Sequence, residues 1–95
     1  MVLWMNVEEA RRFLLENGFV YTLRPKKRRE GRDMLSYEGF GKKGMVMVKL
    51  VMEVENDTDL KAFVDKSGFR SVEEWRGKAK DSKILYRVDL LKVEP

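Results

Sequence analysis

The run Met45-Val-Met-Val-Lys-Leu-Val-Met-Glu-Val54 is the strongest strand signal in the chain and decides the expected fold. Every second residue from Val46 to Val54 is apolar, which predicts that these side chains share one face of a β-strand. Further apolar residues, Met45, Met47 and Val51, fall on the opposite face, so we expect both faces to be partly covered. The run is therefore predicted to be a central strand of its sheet.

Three further segments are predicted to be strands. Residues 19–24 alternate apolar and mixed side chains and stop at Pro25, and residues 33–38 form a short candidate before a glycine-rich turn. Residues 84–90 alternate Ile, Tyr, Val and Leu with other side chains, which predicts a closing strand. The chain is thus expected to build its sheet from about four strands.

Helices are predicted from capping residues. Asn6 with Glu9 reads as an N-cap pair, and the helix that follows should end at Gly18. Further on, Asp57-Thr-Asp59 can cap a helix over 60–67. The spacing in Ser71-Val-Glu-Glu74 predicts a second, short helix that ends near residue 77.

This order of elements predicts a single α+β domain over residues 1–95. Its small antiparallel or mixed sheet is expected to curl into a barrel, with short helices at the ends. Met1–Met5 is too short for the apolar region of a signal peptide, so we expect a cytoplasmic protein. We expect no contact with a membrane, because no apolar run approaches a spanning length.

The positive charge of the chain is concentrated in one stretch. Residues 24–32, Arg-Pro-Lys-Lys-Arg-Arg-Glu-Gly-Arg, hold six cations and one acid, a local charge of +5 in a chain whose total is +4. We call this stretch the basic segment. Like charges at this density repel one another, which favours an anionic partner or a solvated loop. We interpret the segment as an anion-binding site.

The amino-acid composition argues against several kinds of catalytic and metal site. The chain has neither cysteine nor histidine, which removes thiolate chemistry and the commonest zinc ligands and general base. The carboxylates at 53, 55, 57 and 59 could hold Mg²⁺, but we interpret them as strand-end and helix-capping residues. We therefore expect no metal and no cofactor.

Two stretches resemble the ASCH domain (activating signal cointegrator homology), a member of the PUA-like group of small β-barrels. Gly18-Phe-Val-Tyr-Thr22-Leu-Arg24 is similar to the family signature Gly-x-Lys-x-x-Thr-x-Arg. Asp65-Lys-Ser-Gly68-Phe69-Arg-Ser71-Val-Glu-Glu-Trp75 is similar to a turn between two helices late in that domain. The resemblance implies a PUA-like mixed β-barrel flanked by short helices, with a site for single-stranded RNA or a nucleotide in the cleft between barrel and helices.

The chain departs from the signature at one functional position. Gly18 lies four residues before Thr22, where the family has five, and Phe19 stands at the position of the signature lysine. Some bacterial members are amidohydrolases that rely on this lysine and threonine with a carboxylate. The substitution counts against hydrolysis here, although Lys26 or Lys27 could project into the same cleft.

Our leading hypothesis is an RNA-binding domain without catalysis, or one that binds another nucleic acid. Lys and Arg can neutralise phosphates, Thr22 and Arg24 lie on one side of their strand, and two aromatic residues near the basic segment could stack on bases. The candidate contact residues are Thr22, Arg24, Lys26, Lys27, Arg28, Arg29, Arg32, Tyr37 and Phe40. The alternatives are a small amidohydrolase or nucleotide-processing enzyme that uses Thr22, and a protein-interaction module that binds an acidic partner.

Overall fold

The structure, a computed structural model, describes residues 2–4, 7–36 and 44–93 of the chain. The strands are β1 (Val2–Trp4), β2 (Phe19–Arg24), β3 (Gly31–Ser36), β4 (Gly44–Glu53) and β5 (Ile84–Val93). The helices are α1 (Glu8–Asn17), α2 (Val72–Ala79) and two short 3₁₀ helices between β4 and α2 (Asp57–Ala62 and Val64–Lys66).

The described strands form one mixed sheet in the order β1-β3-β4-β5-β2. As predicted, β4 is central, and it pairs antiparallel with β3 and β5. Strand β1, which was not among the predicted strands, pairs in parallel with β3. The α+β class is confirmed. In the part of the chain that the structure describes, β1 and β2 form opposite edges of the sheet and do not pair, so the predicted barrel remains a prediction.

The prediction that alternate residues from Val46 to Val54 share one face is wrong. The register of β4 against β5 shifts between Leu50 and Met52, as in a β-bulge. Such an extra residue turns the following side chains to the opposite face of the sheet. Val46 therefore packs in one core cluster and Val54 in the other.

The two core clusters lie on opposite faces of the sheet. The first, on the face we call the α1 face, contains Leu14 of α1 and Val88 of β5. The second, on the α2 face, contains Leu85 and Trp75 and is covered by the 3₁₀ helices and α2. Each fully buried aliphatic or aromatic side chain contributes about 1.5–3 kcal/mol, so both clusters stabilise the fold.

The predicted end of α1 is confirmed. Gly18 has φ 85° and its N–H donates to the carbonyl oxygen of Leu14 at 2.8 Å, which closes the last turn. The helix begins at Glu8 with Val7 at the N-cap position, and the predicted cap Asn6 lies outside the described residues.

The helical region after β4 differs in part from the prediction. Residues 60–67 do not form one α-helix, because the chain makes two 3₁₀ turns there. The cap is Asn56, whose side chain accepts the Thr58 N–H at 2.9 Å. The predicted cap of α2 is confirmed, since the Ser71 hydroxyl oxygen accepts the Glu74 N–H at 3.1 Å. None of the helices in the described ranges is long and apolar enough to cross a membrane.

Candidate nucleic-acid interface

The basic segment joins the end of β2 to the start of β3, and its backbone is fixed at Arg28. The Arg28 N–H donates to the Tyr86 hydroxyl oxygen at 2.6 Å, and that hydroxyl lies 3.3 Å from the Arg28 carbonyl oxygen, to which it can donate. Tyr86 is 1% exposed and belongs to the core cluster of the α1 face. The loop is therefore anchored to the core at its midpoint.

The Arg28 side chain points into the protein. Its guanidinium forms an ion pair with the carboxylate of Asp33, and the two side chains are 14% and 5% exposed. The second carboxylate oxygen of Asp33 accepts the Met34 N–H at 3.2 Å. Burial lowers the pKa of Arg28, while Tyr86 opposes the shift. Arg28 thus serves the fold, and its direct contact with nucleic acid remains a prediction.

The Arg24 side chain also lies inside the protein, near Arg28 and Tyr86. Burial is the main cause that lowers the pKa of Arg24; the positive charge of Arg28 lowers it further, and Tyr86 opposes the shift. The two guanidinium groups are therefore close enough to repel each other, and the Asp33 carboxylate offsets this positive charge. Two of the six cations of the basic segment are consequently held against the core.

The other four cations of the basic segment are exposed: Lys26, Lys27, Arg29 and Arg32. The one acid of the segment, Glu30, is turned towards β4, because its carboxylate accepts the Leu50 N–H at 2.7 Å. A cleft of about 200 Å³ is lined by residues 29–33, so Arg29 and Arg32 lie at it and Lys26 and Lys27 do not. The outward surface of the segment therefore presents four positive charges.

Thr22 opens into a different, smaller cleft. As the alternation predicted, Thr22 and Arg24 share the α1 face, where they pair with Tyr86 and Ile84 of β5. Arg24 does not line the Thr22 cleft, which has a volume of about 110 Å³ and lies between α1, β2 and α2. Its lining residues are Val7, Ala10, Thr22, Leu23, Phe69, Trp75, Lys78, Ala79 and Ser82.

Lys78 is a neighbour of Thr22 that was not predicted from the sequence. It lies one helical turn after Trp75, so both side chains reach the same cleft. That spacing is visible in the sequence, but only the fold shows that α2 packs beside β2. Lys26 and Lys27, the two lysines considered for this place, do not line the cleft.

Three aromatic residues, Tyr21, Phe69 and Trp75, pack in or against the core cluster of the α2 face. Phe69 and Trp75 are 7% and 2% exposed, with ring centroids 6.4 Å apart, so both are core residues. Tyr21 is half-buried and packs on Phe63 at 4.9 Å between ring centroids. The predicted stacking residues, Tyr37 and Phe40, lie outside the described residues.

The carboxylates after β4 have structural partners. Asp59 accepts the Glu55 N–H at 3.2 Å, and Asp57 pairs with the Arg76 guanidinium at 3.0 Å. Within the described ranges no three acidic side chains come together to hold a metal ion. The interpretation of this cluster as capping residues is confirmed for Asp59.

No protein-family model matches this chain, and no curated protein sequence matches it either. The resemblance to the ASCH domain therefore remains a prediction.

Proposed function

We propose that this chain is an ASCH-type, PUA-like domain that binds RNA through the exposed cations of the basic segment, without catalysis. The observation that carries the proposal is that Lys26, Lys27, Arg29 and Arg32 project outward from a loop whose backbone is anchored by Tyr86. In this proposal the sheet belongs to a barrel of the PUA-like type and Thr22 lies at its cleft, while Arg24 lies beside Arg28 and Tyr86.

The anchored loop is suited to binding for a physical reason. A flexible loop loses conformational entropy when it binds, whereas a loop that is already ordered loses less. The hydrogen bonds between Arg28 and Tyr86 and the ion pair with Asp33 order this loop in the free protein. Phosphate contacts made by the exposed cations release counterions, which favours association at low salt.

A charge-removal experiment tests the proposal. The variant K26A/K27A/R29A/R32A removes the four exposed cations and leaves the Arg28–Asp33 pair in place. Its matched control, K61A/K66A/R70A/K83A, removes four exposed cations from other parts of the chain. Binding to a short single-stranded RNA is measured at low salt by fluorescence anisotropy. We expect the first variant to lose affinity by about tenfold or more, and the control to lose clearly less.

Two results would reject the proposal. One is the absence of RNA binding by the wild type at low salt, and the other is an equal loss in both variants, which would show a general charge effect. A wild type that binds an acidic polypeptide but no RNA would favour the protein-interaction alternative.

One observation supports a second candidate function, an amidohydrolase. Thr22 and Lys78 line one cleft, so a hydroxyl and an amine are available together there. A carboxylate is not among the described residues that line this cleft. Turnover of acetylated nucleosides by wild type, Thr22→Ala and Lys78→Ala tests this candidate. Our leading proposal predicts no turnover, and activity that is lost in both variants would establish the enzyme.

A further inference from the structure

Part of the α2 face forms an open surface on the strands. The strand registers place three rows of side chains side by side across this face. In chain order its residues are Phe19, Tyr21, Arg32, Met34, Met45, Met47, Lys49, Arg87, Asp89 and Lys92. All ten are half-buried or exposed. Tyr21, which packs on Phe63, borders the other part of the face, which the 3₁₀ helices and α2 cover. We call these ten residues the open sheet face.

The charge of the open sheet face is positive. Arg32, Lys49, Arg87 and Lys92 are cations, and Asp89 is its one acid. Arg32 also belongs to the basic segment and lies opposite Met47 in the register of β3 with β4. The face therefore continues the exposed charge of the basic segment onto the strands.

Arg87 is held at the centre of this face by three neighbours. Its guanidinium carbon lies 4.6 Å from the centroid of the Phe19 ring. Its Nη1 donates to the Tyr21 hydroxyl at 3.2 Å, and its Nε donates to the Asp89 carboxylate at 3.0 Å. The hydrogen bond to Tyr21, followed by that to Asp89, raises the pKa of Arg87. The side chain is still 39% exposed, so a planar cation is fixed in position with part of its surface open to solvent.

We propose that the open sheet face binds a single strand of RNA, with an unpaired base stacked on the Arg87 guanidinium. This inference rests on the proposed RNA-binding function and names the form of the nucleic acid and the surface that reads it. Phosphates of the strand contact Arg32 and Lys49, and the half-buried methionines offer polarisable contacts to neighbouring bases. This surface lies on the opposite face of the sheet from Thr22 and Arg24.

The chemistry of the face favours a single strand over a duplex. Proteins recognise unpaired bases by stacking them on aromatic rings or on guanidinium planes, which the stacked pairs of a duplex do not offer. The positive charge of the face complements phosphate, and it opposes self-association, because a second copy would bring like charges together. Single-stranded RNA is therefore the occupant that the charge and the fixed guanidinium both favour.

The substitution Arg87→Lys tests the stacking directly, because it keeps the charge and removes the plane. Its matched control is Arg12→Lys on α1, where the Arg12 side chain is 63% exposed. Affinity is measured for a single-stranded RNA decamer and for a duplex RNA with the same number of phosphates. We expect Arg87→Lys to weaken single-strand binding by about fivefold or more and to leave duplex binding unchanged. The control should match the wild type in both measurements.

The outcomes separate this inference from the proposed function. If K26A/K27A/R29A/R32A loses affinity while Arg87→Lys binds the single strand like the wild type, the sheet face is not used and the RNA-binding proposal stands. An equal loss for single strand and duplex in Arg87→Lys would show that the effect does not depend on unpaired bases, and it would overturn the stacking. If the wild type binds no RNA, both proposals fail.

Methyl NMR on the wild type gives a second measurement that does not depend on the folding of a variant. With methionine methyl groups labelled with ¹³C, addition of the single-stranded decamer should shift the signals of Met45 and Met47. The signal of Met52, which packs in the α2-face cluster, should stay in place. Shifts confined to Met52, or concentration-dependent shifts without RNA that indicate a second copy on the face, would overturn the inference.

Discussion

Asp33→Asn is expected to destabilise the protein, because it leaves the Arg28 guanidinium inside the fold without its counter-charge. Removing one partner of a buried ion pair costs about 3–5 kcal/mol. The 14% exposure of the Arg28 side chain allows some contact with water, so we expect the lower end, about 3 kcal/mol. The nearby positive charge of Arg24 repels the Arg28 guanidinium and therefore does not compensate for the lost carboxylate. For a domain of this size, the expected fall in the thermal midpoint is about 12–24 °C.

The assay is thermal and urea unfolding followed by circular dichroism, completed as a double-mutant cycle. The cycle uses the single variants Arg28→Met and Asp33→Leu and the double variant R28M/D33L, which removes the buried charges together. We expect the double variant to lose at least about 1 kcal/mol less than the sum of the two single losses. Our reasoning is refuted if Asp33→Asn costs less than about 1 kcal/mol, or if the two single losses add to within about 0.5 kcal/mol of the double variant.

Two further predictions concern the hydrogen bond that anchors the basic segment to Tyr86 and the close approach of Gly68 to α1. Tyr86→Phe removes the acceptor of the Arg28 N–H, and we expect a loss of about 1–2 kcal/mol, seen as a lower urea midpoint with an unchanged slope. Gly68→Ala would place a methyl group 2.2 Å from the Glu9 carbonyl oxygen at a residue with φ +90°, so we expect a loss of at least about 2 kcal/mol in the same assay. The matched control is Gly77→Ala in α2, where a Cβ atom meets no neighbour within 4 Å. This substitution should stabilise the protein by about 0.5–1 kcal/mol. A stabilised Gly68→Ala variant, or equal midpoints for Tyr86→Phe and wild type, would contradict these two predictions.

The elements that could be predicted from sequence are those set by local chemistry. The strand over residues 19–24 follows from alternation, and the ends at Gly18 and Ser71 follow from the conformation of glycine and the capping hydroxyl. The bulge near Val51 left no comparable signal, because alternation alone does not reveal an inserted residue. Strand β1 was also missed, since three residues carry little periodicity and its partner β3 is distant in sequence.

The sequence predicted where the candidate site lies in the chain, but not which of its side chains are exposed. A charge count treats the six cations of residues 24–32 alike, whereas the fold turns Arg24 and Arg28 inward and leaves four exposed. The burial of Asp33, which makes this possible, depends on its place in β3 against β4. The fixed position of the Arg87 guanidinium could not be predicted either, because the neighbours that hold it come from β2 and β5, which are far apart in sequence.

The most direct test of the central claim is the salt dependence of RNA affinity, measured for the wild type and for K26A/K27A/R29A/R32A. On a single strand each phosphate contact contributes about 0.7 to the slope of log affinity against log salt. If all four exposed cations contact phosphates, the variant should lose about 2.8 from the magnitude of this slope. The same slope in both proteins would contradict the account, because the four cations would then make no phosphate contacts.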